Sequence, residues 1–329
     1  MKDEKLRKFF FQTKIFSIII FVIVSSAPFI SASEKFNFSL NSEIGLLNGR
    51  IYEYVFEEAC TNTNHMESKL DWDVQNIPFV EISTNFDFFK YINFSFGGKI
   101  GLPKKSGFMK DYDWLNFSYW PDDNPAELTN YSISNNKLNN FYSLNASLGF
   151  NFFINKNNQI TIFTAYDYFY IGFDAYDGYY SYKAYNWKNI ALSGKVISYF
   201  QEHNSFLIGI KTNHKISKWN FDFLLSFSPN LSTNNALDFH YKTYTLYWDN
   251  IKNIFQLNAK ISSSFKIGNH SKIGISGAFK YIPLSKGNNY FTEISSEGKI
   301  TGKNWYKTEA FGGTSNFLYA FSVFYKIDF

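Results

Sequence analysis

Two short stretches of this 329-residue chain put ionisable side chains at a spacing that could do chemistry: Asp111-Tyr112-Asp113-Trp114 and Asp238-Phe239-His240-Tyr241. In an extended strand, residues two apart lie on one face, about 6 to 7 Å apart along the chain. Each stretch then presents a polar pair, with Tyr112 or Phe239 facing the other way. Two carboxylates set against a carboxylate–imidazole pair could activate a water. The imidazole would take its proton, and Asp238 would hold the ring and stabilise the imidazolium. Spacing alone equally suits solvated residues at a loop rim, or a bound cation.

Such residues need strands to position them, and the surrounding sequence supplies strands. Tyr142, Leu144, Ala146, Leu148, Phe150 and Phe152 alternate with Phe141, Ser143, Asn145, Ser147, Gly149 and Asn151. Residues 317–329 repeat the pattern, and noisier versions occupy 36–46, 79–89, 91–102, 159–173, 205–213, 219–228, 254–267 and 272–281. Period-two alternation gives each segment one apolar face. Polar turns at 155–158, 214–218 and 268–271 separate some of them; residues 122–139 and 285–314 read as long polar loops. Short turns on one rim and long loops on the other predict an all-β transmembrane antiparallel barrel of about ten strands with long extracellular loops. A membrane strand needs only roughly 9 to 11 residues, so the strands or loops should project beyond the bilayer.

Composition agrees with that choice. Aromatic residues make up 21% of the chain, with 39 Phe, 24 Tyr and 7 Trp. A soluble β-sandwich would have to seal the Tyr hydroxyls in its core, whereas a bilayer places such rings in two interfacial girdles. The chain ends on Phe329 after alternating aromatics, a common ending for barrels of bacterial outer membranes. Residues 1–33 read as a secretory signal peptide: a basic start from Lys2 to Lys14, an apolar run from Ile15 to Val24, then Ser31-Ala32-Ser33. That run is short for a spanning helix. Residues 34–329 then form one barrel domain. Much of the excess positive charge sits in the leader, which argues against nucleic acid as a partner. One Cys (Cys60) allows no internal disulfide, and no Cys/His cluster has zinc spacing, so no metal is expected.

Four blocks in order resemble the omptin family of outer-membrane proteases: Gly49-Arg50-Ile51-Tyr52-Glu53, Ser68-Lys69-Leu70-Asp71-Trp72, Met109-Lys110-Asp111-Tyr112-Asp113-Trp114 and Asp238-Phe239-His240-Tyr241. The resemblance spans most of the chain after the leader. It implies a ten-stranded barrel with an endopeptidase groove at its outer mouth, facing the exterior. Asp111 and His240 would flank the attacking water, with His240 as base and Asp238 orienting it. Asp113 would pair with Asp111 and help bind the water or the developing oxyanion, and Glu53 would line the substrate pocket. Protein or peptide would be the substrate, outer-membrane lipid the surrounding, and the protein a monomer needing no cofactor.

The chain departs from the family in two places. The second acidic pocket position, two before Asp238, is Ala236, which predicts a relaxed preference for a basic residue before the cut bond. Family members also use lipopolysaccharide as an activating lipid, held by basic residues on the outer strand face. The matching stretch here, Tyr166-Asp167-Tyr168-Phe169-Tyr170, carries aromatics instead, so Tyr168 and Tyr170 read as girdle residues. His65, His203, His214 and His270 read as loop or turn residues, Asp71 and Trp72 as supports of the groove or rim residues, and Trp114 as packing at the mouth. An adhesin on the same scaffold is the main alternative function; a small porin fits less well, because about ten strands leave a lumen filled by side chains.

Overall fold

The alternating runs fold as antiparallel strands that close on themselves. The computed structural model describes residues 36–56, 66–115 and 127–329. Its strands are β1 (Phe36–Phe56), β2 (Met66–Phe88), β3 (Ile92–Gly101), β4 (Lys104–Asp113), β5 (Asn130–Asn155), β6 (Asn158–Tyr182), β7 (Asn189–Ile216), β8 (Trp219–His240), β9 (Thr245–Lys266), β10 (Ser271–Glu293) and β11 (Tyr306–Asp328). β1 pairs with both β2 and β11, which closes the ring. The expected leader, Cys60 and His65 lie outside the described residues.

The eleven strands occupy ten staves. β3 and β4 both run between β2 and β5, one above the other. The break falls at Leu102-Pro103, where proline has no N–H to give the ladder. The nine full-length strands run from 21 to 28 residues, about twice what a bilayer requires.

That extra length corrects the reading of the long loops. Residues 130–139 belong to β5, 285–293 to β10 and 306–314 to β11. Above the lipid a strand no longer needs one apolar face, so the alternation that marks it fades. Hairpins at 89–91, 156–157, 217–218 and 267–270 close the lower rim; among the described residues the upper rim carries the connections at 183–188, 241–244 and 294–305. Not every upper connection is long, since residues 241–244 suffice between β8 and β9.

The lower half of the outer surface is apolar. Ile44, Leu148, Phe150, Ile208, Phe223, Ile275 and Val323 all lie exposed there, a band that suits hydrocarbon rather than water. Higher on the outer face, Tyr142 stacks on Tyr168 and Tyr170 with ring centroids 5.9 and 4.8 Å apart, the arrangement of an interfacial girdle.

The lumen is filled in layers. At the bottom, carboxylates pair with lysines around a cavity of about 390 Å³: Glu43 with Lys260 (2.7 Å), Glu81 with Lys99 (2.9 Å) and Asp167 with Lys280 (2.7 Å). Above them, Leu47, Ile51, Phe79, Phe141, Phe169 and Leu318 form a buried plug. His203 belongs to this layer, which corrects its reading as a loop residue. It is wholly buried on β7, with Nε2 3.0, 3.2 and 3.1 Å from the side-chain amides of Gln201, Asn234 and Asn316. His214 sits exposed at the lower end of β7 and His270 in the β9–β10 turn, both on the rim opposite the strand ends that carry Asp113 and His240.

Candidate functional site

The two polar pairs meet above the plug. β4 and β8 stand four staves apart in a ring of ten, so their inner faces look at each other across the lumen. Alternation sets which residues point inward. On β4 these are Met109, Asp111 and Asp113, opposite Trp72, Leu70 and Ser68 of β2. On β8 they are Ala236, Asp238 and His240, opposite Gln201, Tyr199 and Ile197 of β7. The floor is aromatic: Trp72 is fully buried and stacks between Phe173 (5.6 Å) and Tyr199 (5.5 Å). A packed floor fixes the height and aim of what stands on it.

His240 Nε2 is hydrogen-bonded to Asp238 Oδ2. Its side chain is 26% exposed while that of Asp238 is 4% exposed, so water reaches the imidazole but scarcely its carboxylate. Tyr247 of β9 meets the imidazole edge-on at 5.3 Å. Asp111 accepts a hydrogen bond from Ser68 Oγ (3.4 Å), and Asp113 one from Asn130 Nδ2 (3.4 Å). Glu53, on β1 opposite Leu70, is buried among them.

Electrostatics tie the five residues into one unit, at a level of the barrel well above the apolar band. Burial, reinforced by the charge of Asp113, pushes the Asp111 carboxyl well above the usual range. Burial raises Asp113 as well, against hydrogen bonds from Ser68 and Asn130. Burial would depress the His240 imidazole, but the charge and hydrogen bond of Asp238, then the charges of Asp111 and Asp113, carry it up to about 8. Burial also raises Glu53 well above an ordinary glutamate, and the nearby charges of Asp238 and Asp249 add to this. Like charges held this close in a dry site cannot all ionise freely.

The remaining expectations divide. Trp72 does support the groove. Asp71 does not point with it: it lies on the opposite strand face and pairs with Lys69 (2.8 Å), whose ammonium sits over the Tyr52 ring at 4.9 Å. Trp114 stacks on Tyr112 at 6.4 Å, packing at the mouth as expected. Asp249 of β9 was not singled out from the sequence, yet it lies directly across the strand pair from Ala236. The signal was there in principle: a tight turn after Tyr241 makes a hairpin whose register pairs residue 240 with 245, and therefore 236 with 249. Among the described residues, no group of three or more His, Cys, Asp or Glu has the geometry to hold a metal ion.

Known proteins share this architecture. A plasminogen activator of Yersinia pestis is 27% identical over 196 residues, 58% of this chain and 59% of that protein. The chain thus spans less than two thirds of the plasminogen activator's length. The outer membrane protease IcsP of Shigella flexneri is 25% identical over 282 residues, 84% of this chain and 87% of its own. The crystal structure of the outer membrane protease OmpT of Escherichia coli superposes with a TM-score of 0.78 at 19% identity, covering 90% of this chain and 99% of that one. The sequence profile of the omptin family matches residues 34–325, and with it the barrel of the outer membrane described above: the chain belongs to the omptin family.

Proposed function

We propose that this protein is an endopeptidase of the outer-membrane surface, hydrolysing protein or peptide substrates next to basic residues with an activated water. The observation that carries the reading is the convergence of Asp111 and Asp113 with Asp238 and His240 across the lumen above the plug. The matching relatives bear the names of a plasminogen activator and outer membrane proteases, which supports a protein substrate.

The chemistry follows from the geometry. With Nε2–H donating to Asp238, the imidazole keeps its lone pair on Nδ1, where it takes a proton from water as the oxygen attacks the peptide carbonyl. Asp238 keeps the ring oriented and stabilises the imidazolium. Asp111 holds the water from the opposite wall. Because Asp111 and Asp113 resist full ionisation together, their shared proton is placed to hydrogen-bond the developing oxyanion. The imidazolium then returns its proton to the leaving amine. No acyl-enzyme forms, and Glu53 lines the substrate pocket beside the water with a carboxyl that an entering cation would ionise.

Refolded protein in detergent with lipopolysaccharide should cleave a quenched peptide containing paired basic residues, while His240→Ala and Asp111→Asn cleave it far more slowly. Equal rates in all three, or none in the parent, would instead favour a binding barrel.

A further inference from the structure

Ala236 leaves the pocket beside Glu53 without the carboxylate expected on β8, yet the pocket is not short of acid. Asp249 enters it from β9, the register partner of Ala236. Two neighbours fix its carboxylate. Asn289 of β10 donates Nδ2–H to Oδ1 at 2.6 Å. Gly312 of β11 supplies room: a Cβ there would stand 1.9 Å from the same oxygen, so only glycine lets Asp249 lean this far across the inner wall. Gly312 pairs with Val55 and Thr314 with Glu53, so this lean brings Asp249 toward Glu53. Glu53 is 3% exposed, and its carboxyl has the Asp238 carboxyl as its hydrogen-bonding neighbour, with no basic side chain among the described residues beside it to balance the charge. Ala236 of β8, beside Asp249, is itself buried and brings no polar group to the site.

We propose that Asp249 and Glu53 together form a two-carboxylate pocket that receives the guanidinium or ammonium of the substrate residue preceding the cut bond, Asp249 supplying from β9 the charge that Ala236 lacks on β8. The proposal rests on the peptidase reading and replaces the relaxed preference that Ala236 suggests in the sequence. The surroundings favour a cation. The strongest charges acting on Glu53 come from Asp238, Asp249 and Asp111, all acidic. Burial pushes Asp249 up to about 7 against the Asn289 hydrogen bond, with Asp238 adding to the rise. A buried acid pair without a counter-charge is costly, and an entering cation relieves it. A bidentate guanidinium can bond one oxygen of each carboxylate.

The test compares two peptides differing only before the cut bond, one with Arg and one with citrulline, its neutral isostere. Wild type should prefer Arg strongly. In Asp249→Asn the Arg-to-citrulline ratio of kcat/KM should fall roughly 10- to 100-fold, and adding Ala236→Asp to that variant should restore it by moving the charge back to β8. Asp249→Ser serves as a second variant, and heat-modifiable gel mobility reports which variants are folded. A ratio unchanged in folded Asp249→Asn and Asp249→Ser, or not restored by Ala236→Asp, would overturn the pocket. Both peptides cut equally by wild type, with His240→Ala inactive, would sink the pocket but spare the peptidase. Neither peptide cut by wild type would overturn both.

Discussion

The lower lumen and the upper cleft both hold carboxylates and treat them in opposite ways. Below the plug, Glu43 accepts from Lys260 at 2.7 Å and from Ser276 at 2.9 Å, and Asp167 accepts from Lys280 at 2.7 Å. Above it, Glu53, Asp111, Asp113, Asp238 and Asp249 act chiefly on one another and on His240. Paired charges fill a cylinder and resist opening. Unpaired ones raise one another's affinity for protons and for any cation that enters. One half of the barrel satisfies its charges with lysines; the other sets its acids against one another around a single imidazole.

Tested by substitution, that contrast gives its largest effect in the cleft. Asp238→Asn should lower kcat/KM roughly 10²- to 10⁴-fold with the barrel intact. The pH profile should carry the same signature. The His240 imidazole must be neutral to act as base, and its value is raised to about 8, so activity should rise with pH through about 8. In Asp238→Asn the residual activity should rise at lower pH, because the main cause of the elevation is gone. A limb that stays put would break the link between the two residues.

Below the plug the same kind of substitution should act on stability alone. Lys260→Met leaves Glu43 without its lysine and should cost about 3 kcal/mol in denaturant unfolding, with kcat/KM of the folded protein little changed.

The cleft should show the reverse sign. An acid whose folded value is raised is favoured while protonated, so its contribution is present below about 4 and is lost as pH rises through about 7. Asp249→Asn should therefore stabilise the barrel at pH 8 by about 1–3 kcal/mol, and the gain should vanish toward pH 4. The smallest effect is expected on the outside. Arg50 pairs with Asp73 at 3.2 Å with its side chain 48% exposed, and Arg50→Ala should shift stability by less than about 1 kcal/mol.

Much of this was legible from residue order. The alternation of 141–152 and 317–329 marks strands because each has a lipid face, and the two ionisable pairs declare a shared face through their spacing alone. The upper strand halves were harder to see: residues 130–139 and 306–314 carry polar groups on both faces, so they read as loops. His203 was misread for a related reason. A histidine among Gln, Glu and Asn looks like a turn, and only the inward aim of β7 turns that polarity into a buried network. Asp249 was invisible because its partners are far apart in sequence; its role depends on register across β8, β9, β10 and β11 at once.

Ring closure has a consequence for when such an enzyme can act. Glu53 stands on the first strand and Gly312, which makes space for Asp249, on the last, and the two strands meet only at the seam where the cylinder shuts. Until that seam zips, the pocket has no shape and its acids remain scattered along an open sheet. Latency is therefore built into assembly: the groups of the site come together only once the cylinder has closed.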